Sequence, residues 1–360
     1  MFKYVEWLVD SCINSNHAAA TLQWRNRIDL PYTFYISIIG DVRVNQHPAL
    51  ASLHTIFMRE HNRIATGLGA LKNSWSDQII FDEARKIVGA ILQHITYNEY
   101  LPEILGSVIM NSNGLNPLSA GYFNGYQSNT NPSIMNEFVT AAFRFGHSMI
   151  RDSLNYHGTS LLFKDVFINP VTLYDTNGGI DSITKGLVDS QSQKVDNLIT
   201  QQVTRHLFER QPGFGADLAA INIQRGRDHG IPFYLLIKKA CNVTGNVHNP
   251  SIWASLKAIY HIPDDIDLFP AGVSETPVAG GKIGPTFACI IAKQFEALKK
   301  GDRYYYENSG SQAFTLDHHI WVSVGLLKDE LTRQVSRRLR TRRSLCTNAW
   351  TFSATISAKG

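Results

Sequence analysis

No stretch of this chain approaches the roughly 18 apolar residues that a membrane-spanning helix needs, so no span is expected. Cysteine is scarce. The four, Cys12, Cys241, Cys289 and Cys346, form no C-x-x-C pair, which argues against a structural zinc site. They are too few for a disulfide scaffold, though one or two bridges remain open in a secreted chain. Net charge is also small, at +4, and gives no general case for a nucleic-acid or membrane partner. The excess is local, in "RQVSRRLRTRRSLC", where Arg333, Arg337, Arg338, Arg340, Arg342 and Arg343 gather. A solvated tail is the simpler reading of that run, and an adaptor contact the sharper one. The amino terminus does not read as a signal peptide, because Glu6 and Asp10 interrupt its apolar residues. Internal repeats and strong strand alternation are missing too.

What is present is a sizeable core. Hydrophobic residues make up 44% of 360, enough for one large domain or two ordinary ones. Helical spacing dominates from residue 49, where Leu50, Leu53, Phe57, Ile64, Leu68 and Leu71 share a face behind Pro48. A second helix is predicted through "DEARKIVGAILQHITYNEYL", ending near Pro102, followed by a loop over 106–133. Further helices are predicted over 186–209, 231–240, 250–260 and 285–299, with 168–179 and 262–285 as connectors. The fold class is mainly α with long loops, an arrangement that suits a core built around a bound group.

Three stretches carry chemistry. "AAFRFGHSMIRDSL" reads as helix and holds Arg144 and His147 on one side among phenylalanines. Its plain reading is a partly buried histidine with surface arginines; the sharper one is a ligand to a metal or haem iron with an arginine on an anionic group. "LAAINIQRGRDHGIPFY" collects Asn222, Arg225, Arg227, Asp228 and His229, either a charged helix end or part of the same site. "GDVRVNQHPALASLHTIFMREHNRIA" places Arg43 just ahead of a long helix, as a capping charge or as a site residue. His54 and His61, seven apart, read as core or surface residues before a metal pair. Asn242-Val243-Thr244 is a sequon.

Together with "DEARKIVGAILQHITYNEYLPEILG" and "GPTFACIIAKQFEALKKGDRYYYEN", these strings resemble the animal haem peroxidases, in the family's order and spacing over roughly residues 35–315. The resemblance implies a helical haem peroxidase-like domain, with a divergent segment over 1–34 and a divergent tail over 316–360. It implies His147 as the proximal ligand to haem iron and Asn222 as acceptor of that ring's other N–H, which would fix the tautomer. It implies Arg144 and Arg225 near the haem propionates, and Arg43 as the distal arginine that polarises bound peroxide. Cys241 and Cys289 match a family disulfide, implying an extracellular or secretory setting. The implied activity is oxidation of a halide, thiocyanate, phenol or tyrosine by hydrogen peroxide.

The chain also departs from that family. No Asp-His-Asp segment precedes Arg43, and His17 is a poor substitute for the distal histidine, so impaired or absent activity is expected. A noncatalytic haem-binding or interaction module is the alternative. The family's calcium loop has no match, so no calcium site is expected. Gln46 stands where several members place a glutamate esterified to haem, and an amide cannot form that bond; haem is expected to be held noncovalently. His47, beside it, reads as a polar neighbour before a residue at the haem edge. Divergence at both ends suggests a partial gene product, a splice form or a degraded copy.

Overall fold

The computed structural model describes residues 42–174, 179–209 and 211–316. Cys12, His17, Cys346, the arginine-rich run and most of the two divergent end segments lie outside the described residues. The chain is mainly α, as expected. Pro48 opens α1 (Pro48–Leu71), where its missing N–H goes unused, and His47 Nδ1 accepts the Ala49 N–H at 3.1 Å. Ser76 caps α2 (Asp77–Ile95) by accepting the Ile79 N–H, and the two long helices pack together.

The predicted stop near Pro102 does not occur. A π turn (Thr96–Tyr100) carries the chain into α3 (Leu101–Ser112), with Pro102 in its first turn, where proline is tolerated. The kink comes instead at Gly106, at φ 74. A Cβ there would lie 2.5 Å from the Ala279 carbonyl oxygen, so the close backbone approach requires glycine. The predicted loop therefore begins after residue 112.

The segment around His147 is not one α-helix. α4 (Asn136–Thr140) breaks at Ala141 (φ −134°, ψ −66°), and a 3-10 helix runs over Ala142–Met149. In that tighter winding, residues three apart eclipse, which stacks Arg144 over His147. A hairpin follows, β1 (Ser153–Tyr156) with antiparallel β2 (Thr159–Leu162). Its two-residue turn, His157 (φ 51) and Gly158 (φ 79), has both residues left-handed, as such hairpins demand. Its strands alternate too weakly to be read from sequence.

The helix predicted over 186–209 is instead α5 (Gly179–Asp189) and α6 (Gln201–Thr204). The intervening "SQSQK" supplies no apolar face, and Thr200 starts α6 by accepting the Gln202 N–H. Then come α7 (Leu218–Asp228), α8 (Tyr234–Ala240), α9 (Pro250–Tyr260), α10 (Leu268–Val273) and α11 (Pro285–Gly301). Six-residue α10 lies inside the predicted connector, too short to show a period. Cys241, after α8, is bonded to Cys289 of α11, with Cα atoms 6.0 Å apart.

Among the described residues, apolar side chains form two clusters. The larger joins α2, α3, α10 and α11 and includes Phe145, Met149, Phe269 and Phe295. The smaller holds Val44, Ala49, Ile150, Leu154 and Ile183. His147 sits between Phe145 and Ile150, at the seam of the two. Among the described residues, no helix is long and apolar enough to cross a membrane.

Candidate haem site

α7 has one fully buried residue, and it is an asparagine. Asp217 starts this helix by accepting the N–H groups of Ala219 and Ala220, which sets the phase that turns Asn222 inward. Both ends of the Asn222 amide are used. Oδ1 accepts from Arg144 Nη1 at 3.2 Å, and Nδ2 lies 2.5 Å from His147 Nδ1. His147 and Asn222 are completely buried and Arg144 is 3% exposed. The sequence thus scattered three members of one buried cluster across 78 residues, and the fold joins them.

Arg144 is further held by the Val139 carbonyl, which accepts from Nε at 2.9 Å across the break between α4 and the 3-10 helix. Burial, and then the positive charge of Arg225, lower its pKa to about 10. Two cations face each other here with an amide as the charge-neutral neighbour. The surrounding frame is fixed by polar ties. Asn136 and His229 pair through both side chains and backbone, closing α4 onto the end of α7. Arg227 makes a two-pronged contact with Asp267, at 3.1 and 2.7 Å, joining α7 to the start of α10. That places the Phe269 ring 6.4 Å from the His147 ring. Asp267 and Phe269 were hidden from sequence reasoning inside a segment taken as connector. Arg151, two residues beyond the 3-10 helix, is exposed and donates to the Gln191 carbonyl at 2.6 Å.

Arg43 stands on a 3-10 turn (Val42–Gln46) directly before α1 and is half-buried. Its neighbour Val44 shares the smaller cluster with Ile150, three residues after His147. Gln46 Oε1 is buried with no hydrogen-bond partner among the described residues. His47 is a helix cap. Its ring stacks on Phe163 at 4.6 Å, and burial lowers its pKa to about 3. His61 packs edge-on to Phe81, and no three His, Cys, Asp or Glu side chains gather as a metal cage among the described residues.

The chemistry of this donor set fits haem. A buried imidazole whose Nδ1 is engaged by an amide leaves Nε2 as the nitrogen that would bind iron once the ring proton sits on Nδ1. A buried Arg144 with the part-exposed Arg225 beside it suits carboxylate groups, which would relieve their mutual repulsion. Across residues 15–340 the chain matches the family model described as animal haem peroxidase. The chain belongs to the animal haem peroxidase family. It is 41% identical over 290 residues to peroxidasin homolog pxn-2 of Caenorhabditis elegans, covering 75% of this chain and 21% of that protein. To the chorion peroxidase of Drosophila melanogaster it is 44% identical over 278 residues, 74% of this chain and 34% of that one. Peroxidase A from Dictyostelium discoideum superposes with a TM-score of 0.73 at 30% identity, covering 89% of this chain and 61% of that one. A fatty acid alpha-dioxygenase of Arabidopsis thaliana, at 17% identity and TM-score 0.70, shares the fold. The chain therefore spans about a fifth to a third of the curated relatives it matches.

Proposed function

We propose that this chain binds haem noncovalently, with His147 as the residue that would hold its iron, and takes part in peroxide-driven oxidation of a halide, thiocyanate, phenol or tyrosine in an extracellular or secretory setting. The observation that carries this reading is the buried His147–Asn222–Arg144 cluster with Arg225 beside it. When bound, haem supplies the reduction of hydrogen peroxide and the oxidising equivalents for the reducing substrate. His147 would hold the iron, and Asn222 would orient the imidazole. Arg144 and Arg225 would take the propionates. Gln46 Oε1, buried and lacking a donor among the described residues, would accept from a group entering beside Arg43. Arg43 would stabilise negative charge developing on peroxide.

The sequence contains no Asp-His-Asp segment to shuttle the peroxide proton. Lack of such a group typically removes about 10²–10⁴-fold in rate, so peroxide turnover by this chain alone is expected to be slow. That same feature favours a second reading, a haem-binding module without turnover.

Reconstitution with haemin tests the ligand. Wild type should develop a Soret band and bind haemin tightly, and His147→Ala should lose both. An unchanged spectrum and affinity in His147→Ala would sink the assignment. Hydrogen peroxide consumption by the loaded wild type separates slow turnover from none.

A further inference from the structure

A chain of aromatic rings leads away from the His147 segment. Phe145 lies 6.2 Å from Phe143, and Phe143 lies 6.1 Å from Phe295. Phe295 is 5.9 Å from Tyr97, Tyr97 is 5.4 Å from Tyr305, and Tyr305 is 5.1 Å from Tyr306. The chain ends at a cleft of about 1000 Å³ between α2 and residues 302–314, whose walls include Tyr304, Tyr305, Tyr306, Tyr126 and Phe314. Tyr304 and Tyr126 are exposed, at 60% and 41%.

Tyr306 differs from the other rings along this path. Its phenol donates to Glu307 Oε1 at 3.0 Å, and His94 Nδ1 lies 2.9 Å from the phenolic oxygen itself. Both partners are buried. Tyr97, by contrast, donates to the Phe295 carbonyl, which cannot take a proton. Tyr234 and Tyr260 also donate to carboxylates, but their ring contacts do not join this chain. Burial and the charge of Glu307 hold the Tyr306 phenol well above its usual range, so simple ionisation is closed to it. Losing an electron makes a phenol strongly acidic, and the carboxylate at hydrogen-bond distance is then the acceptor.

We propose that Tyr306 is a redox-active tyrosine and that the cleft beside it takes a phenolic reductant, a free phenol or a tyrosyl side chain. Tyr306 gives one electron to a one-electron oxidant and its phenolic proton to Glu307, leaving a neutral tyrosyl radical and a protonated carboxyl. A phenol in the cleft returns one electron to Tyr306, Glu307 gives its proton back to the Tyr306 oxygen, and the phenol, its own proton lost to solvent, leaves as a phenoxyl radical. The oxidant is peroxide-oxidised haem if the haem reading above holds, on which the physiological role rests. The redox property of Tyr306 itself does not need it.

The test therefore uses a photogenerated ruthenium(III) complex on the full chain, with electron paramagnetic resonance on frozen samples, and repeats it with haemin and hydrogen peroxide. A tyrosyl signal is expected in both arms for the wild type. It should fall to background in Tyr306→Phe and drop sharply in Glu307→Gln, which keeps the ring but removes the proton acceptor. Thermal unfolding of each variant checks that it is folded. An undiminished signal in Glu307→Gln, or in folded Tyr306→Phe, overturns the proposal. A signal with ruthenium but none with haemin and peroxide retains the redox tyrosine and rejects peroxide-oxidised haem as its oxidant, while the Soret band reports haem binding separately. For the cleft, a Cβ on Gly89 of α2 would meet nothing within 4 Å. Gly89→Trp should leave the radical intact but slow its decay by N-acetyltyrosine about tenfold. Equal decay rates would overturn the cleft assignment.

Discussion

Replacing Asn222 with alanine isolates what the buried cluster contributes. The substitution removes an acceptor from Arg144 Nη1 and a partner from His147 Nδ1, both in a site closed to solvent. A buried polar group left without a partner costs about 1–3 kcal/mol, and here two are affected. Arg144 keeps its bond to the Val139 carbonyl, and the space vacated by the amide has room for a bridging water. The expected loss is therefore about 2–4 kcal/mol, read as a lower urea midpoint with an unchanged slope. Haemin affinity should fall about 10–100-fold, the usual effect of removing a group that orients a metal-bound histidine. Asn222→Asp should behave differently, since a carboxylate accepts from both neighbours and adds charge complementary to Arg144. A Asn222→Ala variant within about 0.5 kcal/mol of wild type, with unaltered haemin affinity, would refute the reasoning.

The same residue makes a finer prediction about the proton on His147. With Nδ2 facing Nδ1, the ring accepts there and carries its hydrogen on Nε2. Iron ligation through Nε2 requires the reverse, with Nδ1–H donating to Oδ1 after the amide turns over. Nitrogen-15 shifts of His147 should therefore show the Nε2–H form without haemin and the Nδ1–H form with a diamagnetic metalloporphyrin. One unchanged tautomer in both samples would contradict this account of Asn222.

Other consequences can be measured separately. Burial lowers the His47 pKa from 6.5 to about 3, so between those values the unfolded chain binds a proton that the folded chain excludes. Stability should thus fall as pH drops through that window, by about 2 kcal/mol at pH 5, and His47→Asn, which still caps α1, should abolish that component in urea titrations at pH 7 and 5. Opening the Cys241–Cys289 bridge, which spans 48 residues, should lower stability by about 2–4 kcal/mol in the Cys241→Ser/Cys289→Ser variant, and an unshifted urea midpoint would count against it. Asn242 is exposed in a left-handed turn beside that bridge, so secretory expression should add an N-glycan there, seen as a mass removed by glycosidase and absent from Thr244→Ala.

Legibility varied with the kind of interaction that fixes each element. Helices α1, α9 and α11 could be read because each begins at a proline and repeats apolar residues over several turns. The 3-10 winding at His147 could not, because it is imposed by Arg144 reaching back to Val139 and outward to Asn222, contacts that exist only after folding. The passage through Pro102 was misread for a related reason: a π turn admits the proline without ending the helical path, and local propensity carries no trace of it. Among the site residues, His147, Asn222, Arg144 and Arg225 stood out as candidates by pattern, but their separate roles came only through resemblance. Position on a helix said nothing of Asn222 beyond an isolated amide in an apolar run.

That isolated amide also favours reading the cluster as a site over reading it as a core contact. A helix whose sole buried residue is asparagine gains little from apolar burial through that residue, so its position must be set by polar geometry. The geometry runs in sequence from Asp217 starting α7, through Asn222 binding both His147 and Arg144, to Arg227 clamped on Asp267. Each step aligns the imidazole and restricts its rotation. The charges work the other way, since Arg144 with Arg225 alongside is an arrangement that burial alone disfavours. Rigid orientation of a neutral ring together with unfavourable pairing of cations is what an anionic, metal-bearing ligand would turn into net stabilisation. Binding of haemin should accordingly raise the unfolding temperature more in wild type than in Arg144→Met, and an equal rise in both would remove the cations from the account.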